Sequence, residues 1–460
     1  MCGIFGIRSE EREVARVTYF GLFALQHRGQ EAAGIAVSDE GRLTVLRDLG
    51  LVAQVFDEEK LQALAGQVAI GHTRYSTTGS NAWTNVQPLV QHGRARTVAL
   101  GHNGNITNAS ELRAELGAAG VKLGATSDTE LIAALLAHDP SPLPLAVAQT
   151  MARLEGAYSI VALADDALVA FRDPHGIRPL SLGRLGEDWV VASETSALDL
   201  IGADFARDLR PGELVVVDAE GLHSTQALPE GAGAACIFEH VYFARPDSRV
   251  GGVDVYGTRV RMGERLAAES PVEADLVMPI PDSGTPAAIG FSKASGIVFG
   301  EGLIKNRYVG RTFIEPDEEL RRQGIKLKYN PLAAIAGKRL VIVDDTIVRG
   351  NTMRALVTML REAGATEVHV RVSSPPVVSP CFYGIDMAEE AQLAAAHRSV
   401  EEMREHIGAT SLHYLSLEGM TAATTLPDDA VCRACFTRSY PTRVPDGRSL
   451  AKLRFEPTPA

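Results

Sequence analysis

The 460-residue sequence has no long uncharged apolar run and no excess of basic residues. A membrane-spanning helix needs about 20 consecutive apolar residues, so we expect no transmembrane segment. The 45 Lys and Arg residues stand against 57 Asp and Glu residues, which gives a net charge of −12. This balance argues against binding to nucleic acid or to an anionic membrane surface, because both need a basic protein face. A small anionic ligand would still fit a local basic pocket.

The N-terminus lacks the basic start and the apolar core of a secretory signal peptide, because charged residues follow from Arg8 onward. We therefore expect a cytoplasmic protein, in which stable disulfides are rare. Cysteine is scarce, with five residues in the whole chain. One is Cys2, and the other four lie in the second half of the sequence: Cys236, Cys381, Cys432 and Cys435.

The length suggests two to three domains. The first half alternates short apolar runs with turn-rich stretches, which indicates a mixed sheet-and-helix domain over residues 2–230. A Pro- and Gly-rich stretch at 228–233 is the predicted linker. Beyond it, apolar runs at 276–280, 340–343 and 368–372 alternate with helical patterns. This alternation predicts a doubly wound parallel sheet in a second domain, residues 231–460.

Cys2 becomes the first residue of the chain once Met1 is removed. Its thiol and a free α-amine then share one residue. The amine has an ordinary pKa of about 7.7–8.0, so a fraction is unprotonated at neutral pH and accepts the thiol proton directly or through a water. A small apolar residue in an edge strand is the alternative, and a Met-Cys pair by itself would favour it.

Three further polar positions suggest a binding site for an amino acid. Arg74 ends a predicted strand, and an arginine can bind a carboxylate through two parallel hydrogen bonds. The Asn103 amide and the Gly104 backbone N–H could form an oxyanion hole at the end of another strand. Asp128 opens a predicted helix and could hold an ammonium group.

Each of these residues alone has an ordinary structural explanation. The arginine would suit a surface ion pair, and the Asn-Gly pair would suit a simple turn. Ser127 and Glu130 fit a helix capping box, which would make the aspartate between them a first-turn charge.

Taken together, the motifs of the first half resemble the N-terminal-nucleophile (class II) glutamine amidotransferases. The motifs are Met-Cys-Gly-Ile at 1–4, Gln-His-Arg-Gly-Gln at 26–30, His-Thr-Arg-Tyr-Ser-Thr at 72–77, Asn-Gly-Asn at 103–105 and Ser-Asp-Thr-Glu at 127–130. The resemblance implies an αββα sandwich in which Cys2 attacks the glutamine side-chain amide and releases ammonia. It also implies that Arg74 and Asp128 hold the substrate's α-carboxylate and α-amine, while Asn103 and Gly104 stabilise the oxyanion.

The most informative run of the second half is Val-Ile-Val-Asp-Asp-Thr-Ile-Val-Arg-Gly-Asn-Thr at 341–352. A buried strand would deliver Asp344 and Asp345 to its carboxyl end, where open α/β sheets bind ligands. The loop after them leads to a helix N-terminus, which favours a phosphate. The aspartates suit ribose hydroxyls or hydrated Mg²⁺. An ordinary strand–turn–helix is the alternative.

This run resembles the phosphoribosyl-diphosphate (PRPP) signature of the type I phosphoribosyltransferases. Thr346 and Asn351 depart from that family's common Ser and Thr, and the asparagine exchanges a hydroxyl for an amide. The resemblance implies Mg²⁺ at Ser283, Asp344 and Asp345, and a basic lid from 305–314 onward through Arg321, Arg322, Lys326 and Lys328. The implied PRPP-binding residues are Asp282, Ser283, Lys305, Asp344, Asp345, Thr346, Arg349, Gly350, Asn351 and Thr352.

The two halves in this order resemble the amidophosphoribosyltransferase family. The resemblance implies that glutamine and PRPP give 5-phosphoribosylamine, glutamate and diphosphate, the first committed step of purine biosynthesis. It also implies a homotetramer inhibited by purine nucleotides, with 172–180 and 239–248 as structural and domain-interface segments. A sugar-phosphate amidotransferase would lack the 344–352 signature. A PRPP-sensing regulator would need a basic DNA-binding surface, which the net charge of −12 argues against.

The Cys432–Cys435 pair has the C-x-x-C spacing, while Cys236 and Cys381 stand alone in the sequence. The pattern fits zinc, a redox dithiol, an iron–sulfur cluster or buried thiols. One branch of the family carries a [4Fe–4S] cluster at matching positions. That resemblance implies a cluster held by all four, with a structural or oxygen-sensing role. The branch often has a propeptide, whereas here we expect removal of Met1 alone to expose Cys2.

Overall fold

The computed structural model describes residues 1–306, 327–387, 389–444 and 452–456. Most of the expected lid, including Arg321, Arg322 and Lys326, lies outside these residues, whereas Lys305 and Lys328 lie within them. Among the described residues, no helix combines the length and the apolar character needed to cross a bilayer.

The first half consists of two antiparallel sheets with helices on their outer faces. Its strands are β1 (Gly3–Arg8), β2 (Ala32–Asp39), β3 (Arg42–Leu49), β4 (Val68–Arg74), β5 (Leu89–His92), β6 (Thr97–Ile106), β7 (Gly156–Ala164), β8 (Ala167–Arg172), β9 (Ser181–Leu185), β10 (Asp188–Ala192), β11 (Asp204–Asp208), β12 (Glu213–Asp218) and β13 (Gly221–Gln226). Its helices are α1 (Val14–Ala24), α2 (Val52–Val55), α3 (Glu58–Gln62), α4 (Ala109–Ala118), α5 (Thr129–His138), α6 (Leu143–Arg153) and α7 (Thr195–Ile201).

The strand order is β11-β9-β10-β1-β4-β2-β3 in one sheet and β13-β12-β8-β7-β6-β5 in the other. Side chains alternate between faces along a strand, so each sheet presents one face to its partner and one to helices. Ile4 and Ile70 of the first sheet pack with Val161 and Val215 of the second. The outer faces pack against α1 and α7 on one side and against α4 to α6 on the other. The predicted αββα sandwich is confirmed.

In the described part of the chain, the second half contains a four-stranded parallel sheet formed by residues 276–279, 339–344, 367–372 and 411–414, in that spatial order. Its strands are β14 (Ala235–Cys236), β15 (Arg249–Val250), β16 (Val253–Asp254), β17 (Leu276–Pro279), β18 (Leu303–Lys305), β19 (Tyr329–Pro331), β20 (Arg339–Asp344), β21 (Glu367–Val372), β22 (Ser411–Tyr414) and β23 (Val431–Cys432). Its helices are α8 (Val255–Glu269), α9 (Thr285–Ser295), α10 (Asn351–Glu362), α11 (Ala394–His397), α12 (Val400–Ile407), α13 (Leu417–Thr424) and α14 (Ala434–Thr437).

Alternate residues of β20 enter different cores. Val341 and Val343 pack with side chains of α8, α9 and α13, whereas Leu340 and Ile342 pack with those of α10 and α12. A strand whose two faces are both covered reads as a continuous apolar run, and residues 340–343 do so. The sheet is therefore doubly wound, as predicted. The boundary at residues 230/231 falls between β13 and β14 and stays a prediction.

Candidate active site

Cys2 lies immediately before β1, which is an interior strand between β10 and β4. The edge-strand alternative for Cys2 is therefore wrong. Its backbone N–H donates to Oδ1 of Asn103 at 3.3 Å, and its Sγ lies 3.5 Å from the Tyr75 carbonyl oxygen. Burial raises the pKa of the Cys2 thiol, while the nearby N-terminal amine and Arg74 oppose that rise. The nucleophile candidate and the first oxyanion-hole candidate are thus direct neighbours.

Asn103 and Gly104 lie inside β6, so the turn alternative for this pair is wrong. The Asn103 Nδ2 is buried and has no hydrogen-bond partner among the described residues. Gly104 has a φ of 152°, and a Cβ there would lie 2.1 Å from the Ala157 carbonyl oxygen. A buried amide donor without a partner is costly, so its presence beside Cys2 suits an oxyanion that arrives during a reaction.

Arg74 ends β4 and is buried, so it is no surface ion pair. Its guanidinium donates to the Ser80 carbonyl at 3.0 Å, and it pairs with Glu31 at 3.8 Å. The electrostatic neighbours that oppose the burial-induced fall in the pKa of Arg74 include Cys2 and Asp128. Arg74 therefore lies within electrostatic reach of both Cys2 and Asp128. Sequence reasoning missed Glu31, which follows the 26–30 motif.

Asp128 is the N-cap residue of α5, and its Oδ2 accepts a hydrogen bond from the Ile106 backbone N–H at 3.0 Å. The capping box proposed for its neighbours does not form. The Glu130 carboxylate instead binds the backbone N–H groups of Gly124 and Ala125, and the Ser127 hydroxyl is buried without a partner among the described residues. The Asp128 side chain thus makes no capping hydrogen bond to α5. It ties the start of the helix to β6, the strand that carries Asn103.

A buried charge network connects Cys2 to the second half. Arg28 Nε donates to the Cys2 carbonyl oxygen at 2.9 Å, and its Nη2 donates to Glu239 at 2.8 Å. Arg28 also pairs with Glu194, and Glu239 lies 3.5 Å from Arg178. All four side chains are fully buried. The segments 172–180 and 239–248 therefore do lie at the contact between the halves, as expected, but the network itself was not predicted.

The carboxyl ends of β17 and β20 meet because the two strands pair in parallel, with Pro279 opposite Val343. Asp344 ends β20, and burial together with the adjacent Asp345 carboxylate raises the pKa of Asp344 well above its usual range. Asp345 accepts a hydrogen bond from the Thr346 hydroxyl at 2.7 Å, and Ser283 lies close enough to lower the pKa of Asp345 against the rise caused by burial. The structure thus gathers the three predicted Mg²⁺ ligands at one edge of the sheet.

The remaining predicted PRPP residues surround this edge. Asp282 follows β17 and pairs with Lys305 at the end of β18. Gly350 has a φ of 82° and caps α10, whose first two residues are Asn351 and Thr352. Arg349 and Asn351 line a pocket of about 370 Å³ together with Gln392, His397 and Arg398. Its basic side chains suit an anionic ligand, and sequence reasoning missed the residues from 391 onward.

The four cysteines of the second half approach one another. Cys236 on β14 pairs in register with Cys432 on β23, and the Cys435 carbonyl accepts hydrogen bonds from residues 378 and 379, just before Cys381. Burial raises the pKa of the Cys435 thiol, and the other three thiols add to that rise. All five cysteines are free thiols. Among the described residues, no three Cys, His, Asp or Glu side chains are grouped to hold a metal ion.

Comparison with known proteins supports the domain assignment of both halves. A glutamine amidotransferase domain model matches residues 72–200, and a phosphoribosyl transferase domain model matches residues 269–374. The amidophosphoribosyltransferase of Mycobacterium tuberculosis (strain ATCC 25618 / H37Rv) is 53% identical over 470 residues, covering 99% of this chain and 89% of that protein. The chain belongs to the amidophosphoribosyltransferase family. The amidophosphoribosyltransferase of Bacillus subtilis (strain 168) is 45% identical over 450 residues, covering 96% of this chain and 94% of that protein.

A solved structure agrees with this assignment. Glutamine PRPP amidotransferase from B. subtilis, complexed with ADP and GMP, superposes with a TM-score of 0.92 at 43% identity and covers 99% of this chain and 100% of its own. As an amidophosphoribosyltransferase, the chain is an enzyme that transfers ammonia from glutamine to PRPP, which is the first step of purine biosynthesis. The sugar-phosphate amidotransferase and the PRPP-sensing regulator are thereby excluded.

Proposed function

We propose that Cys2, freed by removal of Met1, is the nucleophile that releases ammonia from glutamine. The observation that carries this proposal is the contact between Cys2 and Asn103, which brings together residues 101 positions apart and leaves a buried amide donor unpaired. The nitrogen that donates to Asn103 becomes the α-amine when Met1 leaves. It then accepts the thiol proton as the sulfur attacks the glutamine amide.

The tetrahedral intermediate places a negative oxygen beside Cys2. Asn103 Nδ2 and the Gly104 N–H stabilise it, while Arg74 and Asp128 bind the α-carboxylate and α-amine of glutamine. The contact of Cys2 with Asn103 and the electrostatic reach of Arg74 to both Cys2 and Asp128 support these roles. Such donors contribute most when they stand ready before the charge develops, and the rigid strand β6 holds them so.

PRPP binds at the carboxyl edge of the parallel sheet in this proposal. Asp344 and Asp345 contact the ribose hydroxyls or Mg²⁺, and the 346–352 loop receives a phosphate at the start of α10. Half-buried Asp344, buried Asp345 and a hydroxyl neighbour form the hard oxygen set that Mg²⁺ prefers, so these residues fit the ion. The ion would offset diphosphate charge.

Four cysteine thiolates are also the donor set of a [4Fe–4S] cluster, so the residue types of this group fit one. We assign such a cluster a structural or oxygen-sensing role through Cys236, Cys381, Cys432 and Cys435. Brown colour with absorbance near ~400 nm supports it, whereas a colourless zinc-loaded protein purified anaerobically contradicts it.

Regulation and assembly follow the relatives in this proposal. The B. subtilis structure was solved with ADP and GMP, which supports inhibition of this chain by purine nucleotides. We extend the same expectation to a homotetramer and to a cytoplasmic location, which suits a metabolic enzyme. Size measurement in solution with and without a purine nucleotide tests the assembly.

A glutaminase assay with and without PRPP tests the central proposal. Wild type should release glutamate faster when PRPP is present, because a closed PRPP site gives the ammonia an acceptor and excludes water. Cys2→Ala should lose this activity but should still use ammonia with PRPP. Retention of Met1, or an added N-terminal tag, should act as Cys2→Ala does. Full glutaminase activity in Cys2→Ala would contradict the role of the thiol.

A further inference from the structure

The loop of residues 76–81, here the Arg74 loop, holds the guanidinium that is proposed to bind glutamine. Arg74 donates to the Ser80 carbonyl at 3.0 Å, to the Thr78 carbonyl at 3.5 Å and to Oδ1 of Asn81 at 3.4 Å. The side chain therefore takes its direction from this loop. Whatever fixes the loop also fixes the arginine.

The 452–456 segment binds the same loop through the loop's backbone N–H groups. The Lys452 carbonyl oxygen accepts the Gly79 N–H at 2.8 Å, and Glu456 Oε1 accepts the Ser80 N–H at 2.6 Å. Glu456 Oε1 also accepts a hydrogen bond from the Thr126 hydroxyl. Two consecutive N–H groups of the Arg74 loop thus donate to a segment more than 370 residues away in sequence.

Further contacts anchor the 452–456 segment on both halves. Phe455 packs beneath the Arg113 guanidinium at 4.8 Å and joins the core of the outer helices. Arg454 donates to the carbonyl oxygen of Ile106 at 3.3 Å, and the backbone N–H of the same Ile106 donates to Asp128. Lys452 lies 3.4 Å from Asp386, which belongs to the second half. The segment therefore touches the supports of both proposed glutamine-binding side chains.

We propose that Glu456 is a positioning residue for glutamine binding, acting through Ser80 and Thr126 to hold Arg74 in place. This inference rests on the proposed role of Arg74. A carboxylate that accepts two hydrogen bonds is a strong anchor, because bonds to a charged acceptor are roughly twice as strong as neutral ones. The negative charge also lies within the electrostatic reach of Arg74.

A competing role for Glu456 would be to occupy the place of the glutamine carboxylate. The geometry favours the anchoring role, since Oε1 binds the loop backbone and the Thr126 hydroxyl, while Arg74 donates to loop oxygens and pairs with Glu31. The two roles predict opposite changes in glutamine affinity when Glu456 is removed. Loss of an anchor weakens glutamine binding, whereas loss of a competitor strengthens it.

The test compares Glu456→Ala with Glu456→Gln in the full chain. Loss of two charge-assisted bonds should raise the KM for glutamine about tenfold in Glu456→Ala. Glu456→Gln should recover most of the affinity, because the amide oxygen still accepts from Ser80 and Thr126. Thr126→Val should raise the KM less, and Thr126→Val added to Glu456→Ala should cause little further change. Ammonia-dependent activity with PRPP should stay at the wild-type level in every variant.

Glu187→Ala is the matched control, because Glu187 is an exposed carboxylate in the same half and pairs with Arg184 only at the surface. An unchanged or lowered KM in Glu456→Ala overturns the proposal. So does an equal loss of glutamine- and ammonia-dependent activity, which would indicate a general structural role. Arg74→Ala distinguishes the role of Arg74 from that of Glu456. If Arg74→Ala leaves the KM for glutamine unchanged, Arg74 does not bind glutamine. If it raises the KM while Glu456→Ala does not, Arg74 binds glutamine but Glu456 does not position it.

Discussion

The unpaired amide of Asn103 gives the sharpest prediction about the glutaminase chemistry. Its Oδ1 accepts a hydrogen bond from Cys2, and its Nδ2 is a buried donor without a partner among the described residues. Two substitutions separate these atoms. Asn103→Ala removes both, whereas Asn103→Asp keeps an acceptor for Cys2 and replaces the donor by an oxygen. We expect both variants to lose glutaminase activity and to keep ammonia-dependent activity.

The magnitude follows from when the donor becomes satisfied. In the free enzyme Nδ2 is a buried donor without a partner, and such a donor costs about 1–3 kcal/mol of stability. Asn103→Ala therefore breaks no hydrogen bond of Nδ2 in the free enzyme. In the transition state the donor binds the oxyanion, and removal of one such donor costs about 2.7–4 kcal/mol, or about 10²–10³ in kcat. The bond from Cys2 is long at 3.3 Å and contributes less. Asn103→Asp should be the slower variant, because its carboxylate repels the oxyanion.

Glutamate release at saturating glutamine and PRPP measures kcat, and thermal unfolding monitors the fold. Asn108→Ala is the control, since the Asn108 amide is bonded at both ends, to the Arg153 carbonyl and the Glu155 N–H. That variant should lower stability and leave the glutaminase kcat within a few-fold of wild type. A loss of less than tenfold in Asn103→Ala would refute the oxyanion role. An Asn103→Asp variant faster than Asn103→Ala would do the same.

Three other predictions concern ionisable groups that are buried or half-buried. Glu239→Gln leaves the fully buried Arg28 and Arg178 without a shared anion, so the free energy of unfolding should fall by about 3–5 kcal/mol, and a urea midpoint equal to wild type would contradict this. Burial lowers the pKa of His240 to about 4, below the unfolded value of about 6.5, so only the unfolded chain gains that proton and stability should fall as pH drops from 7 toward 4. His240→Leu should flatten that acid limb in urea titrations. Asp344→Asn relieves the repulsion between the Asp344 and Asp345 carboxylates, so the free energy of unfolding should stay the same or rise. Ammonia-dependent activity should fall at least about 100-fold. Retained activity would mean that this carboxylate does not belong to the PRPP site.

Much of the architecture could be predicted because local pattern and sheet physics agree. Residues 340–343 are uniformly apolar since β20 is covered on both faces, and the aspartates follow because the strand ends there. The convergence of Asp344, Asp345 and Ser283 then follows from parallel pairing, which brings carboxyl ends to one edge. The sequence also predicted Asn103 and Gly104 at the end of a strand, and β6 does run through both residues to Ile106.

The buried network around Arg28 could not be predicted, because its partners are distant in sequence. Glu194 is 166 residues away and Glu239 is 211 residues away, and no local periodicity relates such positions. The capping box at Ser127 failed for a related reason. Glu130 finds two backbone donors in the preceding loop, and this tertiary geometry overrides a local motif. The interior position of β1 likewise depends on β10, which joins it from residues 188–192.

The contact between the halves lies at the oxyanion strand, and its geometry leaves little freedom. Asn105 Nδ2 donates to the Phe382 carbonyl at 2.8 Å, and a Cβ on Gly384 would lie 3.0 Å from the Gly104 carbonyl carbon and oxygen. A side chain at residue 384 would therefore press on the peptide unit next to the proposed oxyanion donor. Residue 384 belongs to the second half and Gly104 to the first, so the two halves pack backbone against backbone beside the proposed oxyanion donor.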